Sequence, residues 1–374
     1  MILFYFFLIV FGLSILIQLI FWCLVSRRLL FYRQEEAGFS PVSEYVSVVV
    51  CAHNEYMNLR ELVPRLLDQV YPNYELIIVD DRSEDDSPHW LADLSRQQPR
   101  LRWLRIDKTP ADFHPKKFAL TQGINTAKGD IILLTDADCR PASSDWIRHM
   151  QAQLSPNRDM VLGFSPYISQ KSLLNAFIRY ETLYTAIQYL SLTLAGMPYM
   201  GVGRNLMYRK EIFQQSEGFA NHRHILGGDD DLFVGRIARR GRVGLCVNRE
   251  AYVFSYPKSS WGAWFRQKIR HLSVGKYYRP EVQWVLGSLH FSLIGFWLSF
   301  LILLTFTMSD TFWALIIAGF LLRLITILAF FAAIDRKLHG QVPIISIALF
   351  DFLYVFYIFI IGTLAISIKK IRWE

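Results

Sequence analysis

The stretch Val46-Ser-Val-Val-Val-Cys-Ala-His-Asn-Glu55 opens as a β-branched run and stops abruptly on polar residues. A strand that is apolar on both faces belongs in a sheet covered on both sides, which is the parallel arrangement. Working outward, Asn58–Val70 sets Leu59, Leu62, Val63, Leu66 and Leu67 at helical spacing. Glu75–Asp80 reads as a second strand, Pro88–Arg96 as a short helix and Leu101–Ile106 as a third strand. Lys116–Ala127 is a helix and Asp130–Leu134 a fourth strand. This alternation predicts an α/β domain with a mainly parallel, Rossmann-like sheet and helices on both faces. Ligands of such sheets bind beyond the carboxyl ends of the strands. Here those ends are Ala52–Glu55, Asp80–Asp81 and Thr135–Asp138, where polar residues collect.

After Pro141 the alternation fades. Ser172–Leu194 is a long helical stretch whose only charges are Arg179 and Glu181, readable as a core helix or one lying in a membrane surface. Asp230–Arg240 is a helix closed by Gly241, and Trp261–Tyr278 another, basic and aromatic.

Only 19% of the chain is charged, against roughly 25% in a soluble domain. Residues 1–26 and 282–309 carry no formal charge, 311–334 only Arg323 and 338–368 only Asp351. Each run exceeds the roughly 18–20 apolar residues that cross a bilayer. The expected organisation is a transmembrane helix over 1–26, an α/β domain over 44–280 and about three more spans over 283–370. The first run has no basic residues before it and no small-x-small site after it, so it reads as a retained anchor. Arg27, Arg28 and Arg33 follow it and keep the domain on the cytoplasmic side of a cell or inner membrane. Three further spans then leave Lys369-Lys370-Ile371-Arg372 outside, against the same rule, unless one run is interfacial or re-entrant. The net charge of +8 sits largely beside the spans, which suits anionic headgroups or a diphosphate and not nucleic acid. The four cysteines show neither a CxxC nor metal-ligand spacing, which argues against disulfides and zinc.

Thr135-Asp136-Ala137-Asp138 follows an apolar strand directly. Two carboxylates so spaced can hold a hard divalent cation against a diphosphate. Acidic loops are common without a metal; the position at a strand's carboxyl end favours one. Asp80-Asp81 is a turn pair or a carboxylate for a nucleobase imide or ribose. Cys51-Ala52-His53-Asn54-Glu55 stands where GxGxxG would be, which disfavours a dinucleotide enzyme. Gly227-Gly228-Asp229-Asp230-Asp231-Leu232 places three acids at a helix start. Helix-dipole complementarity, worth ~0.3–1 kcal/mol per acid, does not require three. Their repulsion would raise a carboxyl pKa, as suits a general base. Gln267 and Arg270 share a helix face, where Arg270 fits a phosphate clamp or simply a basic membrane surface.

In this order the motifs resemble inverting glycosyltransferase family 2. The family's Asn-Glu turn looks like Cys51–Glu55, its V-D-D-x-S like Val79–Ser83 and its DxD like Asp136–Asp138. Its Lys-x-x-Ala-Leu element is met loosely, by Lys117–Thr121. Gly201–Arg209 resembles the G-x-G-x-N-x-x-Y-R element, and Gly228–Leu232 resembles E-D-x-D-L with glycine for the first acid. Gln267–His271 is similar to Q-x-x-R-W, with His271 for Trp. The resemblance covers residues 46–275 and implies a GT-A fold, a nucleotide-diphosphate sugar donor with a UDP-sugar foremost, and Mg2+ or Mn2+. It implies donor binding by Glu55, Asp81, Lys117 and Asp136, and the metal on Asp138. Gly203, Asn205, Gln267, Arg270 and His271 would border the acceptor and diphosphate. Asp229 would be the general base, with Asp230 the alternative.

The expected activity is transfer of a sugar to a lipid or lipid-linked saccharide acceptor. The rivals are a processive polysaccharide synthase, for which four spans are few, and a non-catalytic nucleotide-sugar-binding part of an export machine. An unpaired charge at the bilayer centre costs at least ~2.5–3.5 kcal/mol. Counted from the hairpin at Asp335–Gly340, Arg323 and Asp351 differ in depth by only about 3 Å. The expectation is a salt bridge between neighbouring helices, against an Arg323 that snorkels or faces an acceptor phosphate.

Overall fold

In the computed structural model, which describes residues 1–34, 44–307, 309–340 and 342–367, the chain begins as one long helix. It comprises α1 (Ile2–Ile20), a π-helical stretch over Phe21–Ser26, and α2 (Arg27–Phe31). The helix thus runs past the charge-free run and includes Arg27 and Arg28.

The strands β1 (Val46–Ala52), β2 (Tyr74–Asp81), β3 (Leu101–Ile106) and β4 (Ile131–Asp136) pair in parallel, as expected. Between them lie α3 (Tyr56–Leu67), α4 (Ser87–Gln97) and α5 (Pro115–Thr126). On one face Val46, Val48 and Val50 pack in a cluster with Leu59, Leu62, Val63 and Leu66 of α3. On the other, α5 approaches so closely that a Cβ on Gly123 would meet Val49 at 2.7 Å and Val79 at 2.8 Å. Only glycine allows this approach, and it fixes where α5 begins relative to the strand ends.

The later strands were not visible as periodic runs. They are β5 (Cys139–Pro141), β6 (Met160–Gly163), β7 (Leu206–Arg209), β8 (Val243–Cys246) and β9 (Val253–Ser255). The main sheet has the order β3-β2-β1-β4-β7-β6-β8, with β7 antiparallel to both its neighbours, and β5 pairs with β9 apart from it. The sheet is mostly parallel. The remaining helices are α6 (Trp146–Gln151), α7 (Leu173–Leu194), α8 (Lys210–Gln215), α9 (Asp231–Ile237) and α10 (Trp261–Leu272). The last three are α11 (Pro280–Leu303), α12 (Asp310–Lys337) and α13 (Ile344–Ser367).

The sheet unit comprises the described residues of Arg33–Ser169 together with Pro198–Lys258; Met1–Tyr32, Gln170–Met197 and the described residues of 259–367 form a second, helical unit. The expected segment 44–280 is therefore shared between the two. Most side chains of α7 are buried, which makes it a core helix of its unit. Four helices, Ile2–Phe31, α11, α12 and α13, are long and apolar enough to cross a membrane. Each of the last three is one uninterrupted helix, and the basic tail at 369–372 lies outside the described residues.

Arg323 of α12 is 1% exposed, and its guanidinium meets both carboxylate oxygens of Asp351 of α13, at 2.5 and 2.9 Å. The expected pair is present. Gln18 of α1 accepts two further bonds from Arg323, at 2.9 and 2.7 Å, and Trp297 of α11 donates to Asp351 at 3.0 Å. Four helices meet at this node. Leaving one partner of a buried pair alone costs about 3–5 kcal/mol, so Arg323→Asp and Asp351→Arg should each lose folded protein in detergent. The double swap should recover much of the yield, since the amide of Gln18 can turn to donate to the new carboxylate. A swap that yields no more than the single variants would remove the pair from the folding of this unit.

Candidate functional site

Strand β4 delivers Asp136 at its last position, the turn to β5 carries Asp138, and Cys139 opens β5. Ligand atoms of these three lie within 4.8 Å of one another. The Cys139 thiol is buried and 3.1 Å from Ser255 Oγ, and burial pushes its pKa well up. The two carboxylates, Asp136 and Asp138, are a hard oxygen donor pair, which fits Mg2+ or Mn2+.

The N-terminus of α5 sets Lys116 beside them. Its Nζ lies 3.0 Å from Asp136 Oδ1 and 3.0 Å from Asp229 Oδ2, so one ammonium joins the end of β4 to the turn before α9. Burial pushes the Asp229 carboxyl up, but the Lys116 charge and hydrogen bond outweigh this and take its pKa to about 2. Asp230 moves the other way: burial and then the Asp229 charge raise it to about 6. The expected repulsion thus acts on Asp230. Both Asp230 oxygens are also engaged, Oδ1 by the Asp231 N–H and Oδ2 by the Gly203 N–H, each at 2.8 Å. Asp230 caps α9, while Asp229 faces Lys116.

The loops after β1 and β2 are tied together. The Asn54 N–H donates to Ser83 Oγ (2.9 Å), Asn54 Oδ1 accepts from the Glu84 N–H (2.8 Å), and His53 Nδ1 meets the Asp81 carbonyl oxygen (2.6 Å). Glu55 accepts from Asn58 at 2.6 Å, and burial pushes its pKa up. Asp81 is buried with both oxygens on Arg82, at 2.8 and 3.1 Å. Asp80 accepts from the Ser83 N–H and from Arg105.

Two expected residues are engaged elsewhere. Lys117 is buried and donates to the carbonyl oxygens of His222 (2.6 Å) and Ile225 (3.1 Å), with its pKa lowered to about 8 by burial. The helix turns about 100° per residue, so only one of two adjacent lysines can face the acids. The spacing Lys116-x-x-Ala119-Leu120 matches the five-residue pattern and would have picked the right one. Asn205 is fully buried, with Oδ1 accepting from Trp146 Nε1 (2.9 Å) and Nδ2 donating to Phe164 (3.0 Å) and Ala251 (2.9 Å). It braces the fold. Gly203 serves as the backbone donor to Asp230. Arg204 went unremarked in the sequence: it lies 5.1 Å over the Tyr167 ring and donates to the Ser165 carbonyl, while its buried Nε has no partner among the described residues.

In the helical unit, α10 carries Gln267 and Arg270, both half-buried, and an exposed His271. Gln267 Oε1 is buried without a partner, and the Arg270 guanidinium pairs with no acid among the described residues.

Residues 47–216 match Glycosyl transferase family 2. Over 121 residues the chain is 36% identical to a beta-monoglucosyldiacylglycerol synthase of Trichormus variabilis, a match covering 32% of this chain and 25% of that protein. It is 25% identical over 236 residues to the probable glycosyltransferase YdaM of Bacillus subtilis, covering 60% and 54%. The matches thus span a quarter to about half of these relatives' lengths. Among solved structures, the mannosyltransferase PcManGT of Pyrobaculum calidifontis, in complex with GDP-Man and Mn2+, shares the fold. Its TM-score is 0.60 at 18% identity, over 90% of this chain and 98% of that one.

The two lysines should separate cleanly. Lys116→Met leaves the Asp136 and Asp229 carboxylates without their cation, so its melting temperature should fall at neutral pH and recover in acid as the carboxylates are protonated. Lys117→Met leaves two buried carbonyls unpaired and should lower the melting temperature, at about 1–3 kcal/mol. A pH-dependent loss for Lys117→Met and a pH-independent one for Lys116→Met would reverse the partners of the two lysines.

Proposed function

From the premise that the chain carries a Glycosyl transferase family 2 domain, we propose that this membrane glycosyltransferase moves a sugar from a nucleotide-diphosphate sugar to a lipid or lipid-linked acceptor, inverting the anomeric carbon. The observation that carries this reading is the Lys116 bridge, which sets a donor-side carboxylate, Asp136, and a candidate base, Asp229, on opposite sides of one ammonium.

Glu55 and Asp81 bind the nucleoside, and Asp136 the ribose or diphosphate. Asp138, with Asp136, would hold a divalent cation, which when bound neutralises charge on the departing diphosphate. Lys116 turns its charge to the diphosphate as the donor arrives, and this frees Asp229. The Asp229 carboxylate then takes the proton of the acceptor hydroxyl while that oxygen bonds to the anomeric carbon. The bond from that carbon to the diphosphate breaks, and its electron pair leaves with the phosphate. Gln267 and Arg270 grip the diphosphate, with Gly203 and His271 toward the acceptor. The membrane-borne acceptor is supported by the four apolar helices and by a relative named for a glucosyldiacylglycerol. Arg27 and Arg28, at the end of the first helix, support a catalytic unit facing the cytoplasm.

Membranes containing the protein, incubated with a panel of UDP- and GDP-sugars, should label an extractable lipid product and no insoluble polymer. EDTA should abolish that label, and Mg2+ or Mn2+ should restore it. Label confined to polymer would favour the processive reading, and full activity in EDTA would remove the metal.

Asp229→Asn should abolish transfer while nucleotide-sugar binding survives, because the base acts on the acceptor. Asp230→Asn should chiefly lower stability, since its carboxylate caps α9. A dead Asp230→Asn beside an active Asp229→Asn would move the base by one residue.

A further inference from the structure

Within the Gln267–His271 stretch of α10, Lys268 is 8% exposed and its ammonium is paired with Glu181 of α7, itself 4% exposed. Four residues earlier on α10, Trp264 is fully buried and meets Phe177 of α7 edge to face, with ring centroids 5.5 Å apart. Phe177 and Glu181 are likewise four residues apart. Two contacts, each at i and i+4 on both helices, join one face of α10 to one face of α7. Tyr357 of α13 touches both: its ring stacks on Trp264 at 5.2 Å, and its hydroxyl lies 3.4 Å from Glu181 Oε1. The apolar contact alone would tolerate rotation and sliding of α10. An ion pair this well buried does not, because a shift leaves both charges desolvated and unpaired.

Gln267 and Arg270 lie round the helix from that pinned face, about 100° and 160° from Lys268, and neither side chain has a hydrogen-bond or ion-pair partner among the described residues. Their direction is set by α10 as a whole and not by contacts of their own.

We propose that the Lys268–Glu181 pair is a positioning device: it fixes the rotation of α10, so that Gln267 and Arg270 are presented for a diphosphate without being reorganised. This rests on the reading of Gln267 and Arg270 as diphosphate ligands. Lys268 is a positioning residue and does not touch substrate.

The test is nucleotide binding to the detergent-solubilised full chain, with UDP compared with UMP and GDP with GMP. Lys268→Met and Glu181→Gln should weaken diphosphate binding at least about tenfold, within the range that small misplacements cost, and leave monophosphate binding nearly unchanged. Lys268→Arg, which keeps the pair, and the swap Lys268→Glu with Glu181→Lys should both restore diphosphate affinity. If a single variant does not elute as a monodisperse peak, the swap and Lys268→Arg carry the test, because failure of both to bind diphosphate like wild type contradicts the proposal. Equal losses for mono- and diphosphates would make the pair merely structural and overturn it. Arg270→Ala is run in parallel. If it leaves diphosphate binding intact, the grip itself is wrong; if it weakens binding while the Lys268 variants do not, only the positioning claim falls.

Discussion

The parallel register of β1 with its neighbours is the constraint on which the site rests. Cys51 lies opposite Asp136 on β4, and Ala52 opposite Asp80 on β2, so the acidic ends of these strands stand level. A slip of one residue would turn every side chain to the other face. Here both faces are buried, one against α3 and the other against the Gly123 side of α5. The same approach of α5 brings its first turn, and with it Lys116, to the level of the strand ends. Packing in the middle of the sheet thus determines the geometry at its edge.

Acids gathered in this way repel one another, and the fold answers several of them with a cation. Arg105 meets Asp80, Arg82 meets Asp81, and Lys116 serves Asp136 and Asp229 together. This is why adjacent carboxyls part company: the one facing Lys116 stays ionised, and the one turned into the helix cap absorbs the repulsion. It also keeps these gathered acids paired within the protein itself.

The first four strands were legible because each is six to eight residues long and apolar through its middle. The later strands are three or four residues long, too short for any period to show, and their pairing depends on partners distant in sequence. Asp230–Arg240 was overextended: α9 ends at Ile237 because Ala238 leaves helical backbone at ψ 122°. Among the candidate site residues, the gathering of the strand-end acids could be read from position alone, since the ends of adjacent parallel strands stand level. Lys117 and Asn205 could not, because composition does not say which way a side chain turns, and the rotation of α5 and the burial around Trp146 decide it.

The helical unit shows the same logic under a harsher solvent. A charge there was readable as one half of a pair, since the cost of leaving it alone exceeds what most contacts return. That argument found Asp351 for Arg323 but not Gln18 or Trp297, whose neutral polar groups give no comparable signal in a sequence. The Glu181–Lys268 pair was missed for a different reason. Both residues lie in stretches with other charges, and only the buried faces of α7 and α10 reveal that they meet. Ion pairs in this unit therefore do two kinds of work. The first joins helices across the interior of their unit, and the second fixes the rotation of a single helix whose free polar groups have nothing else to orient them.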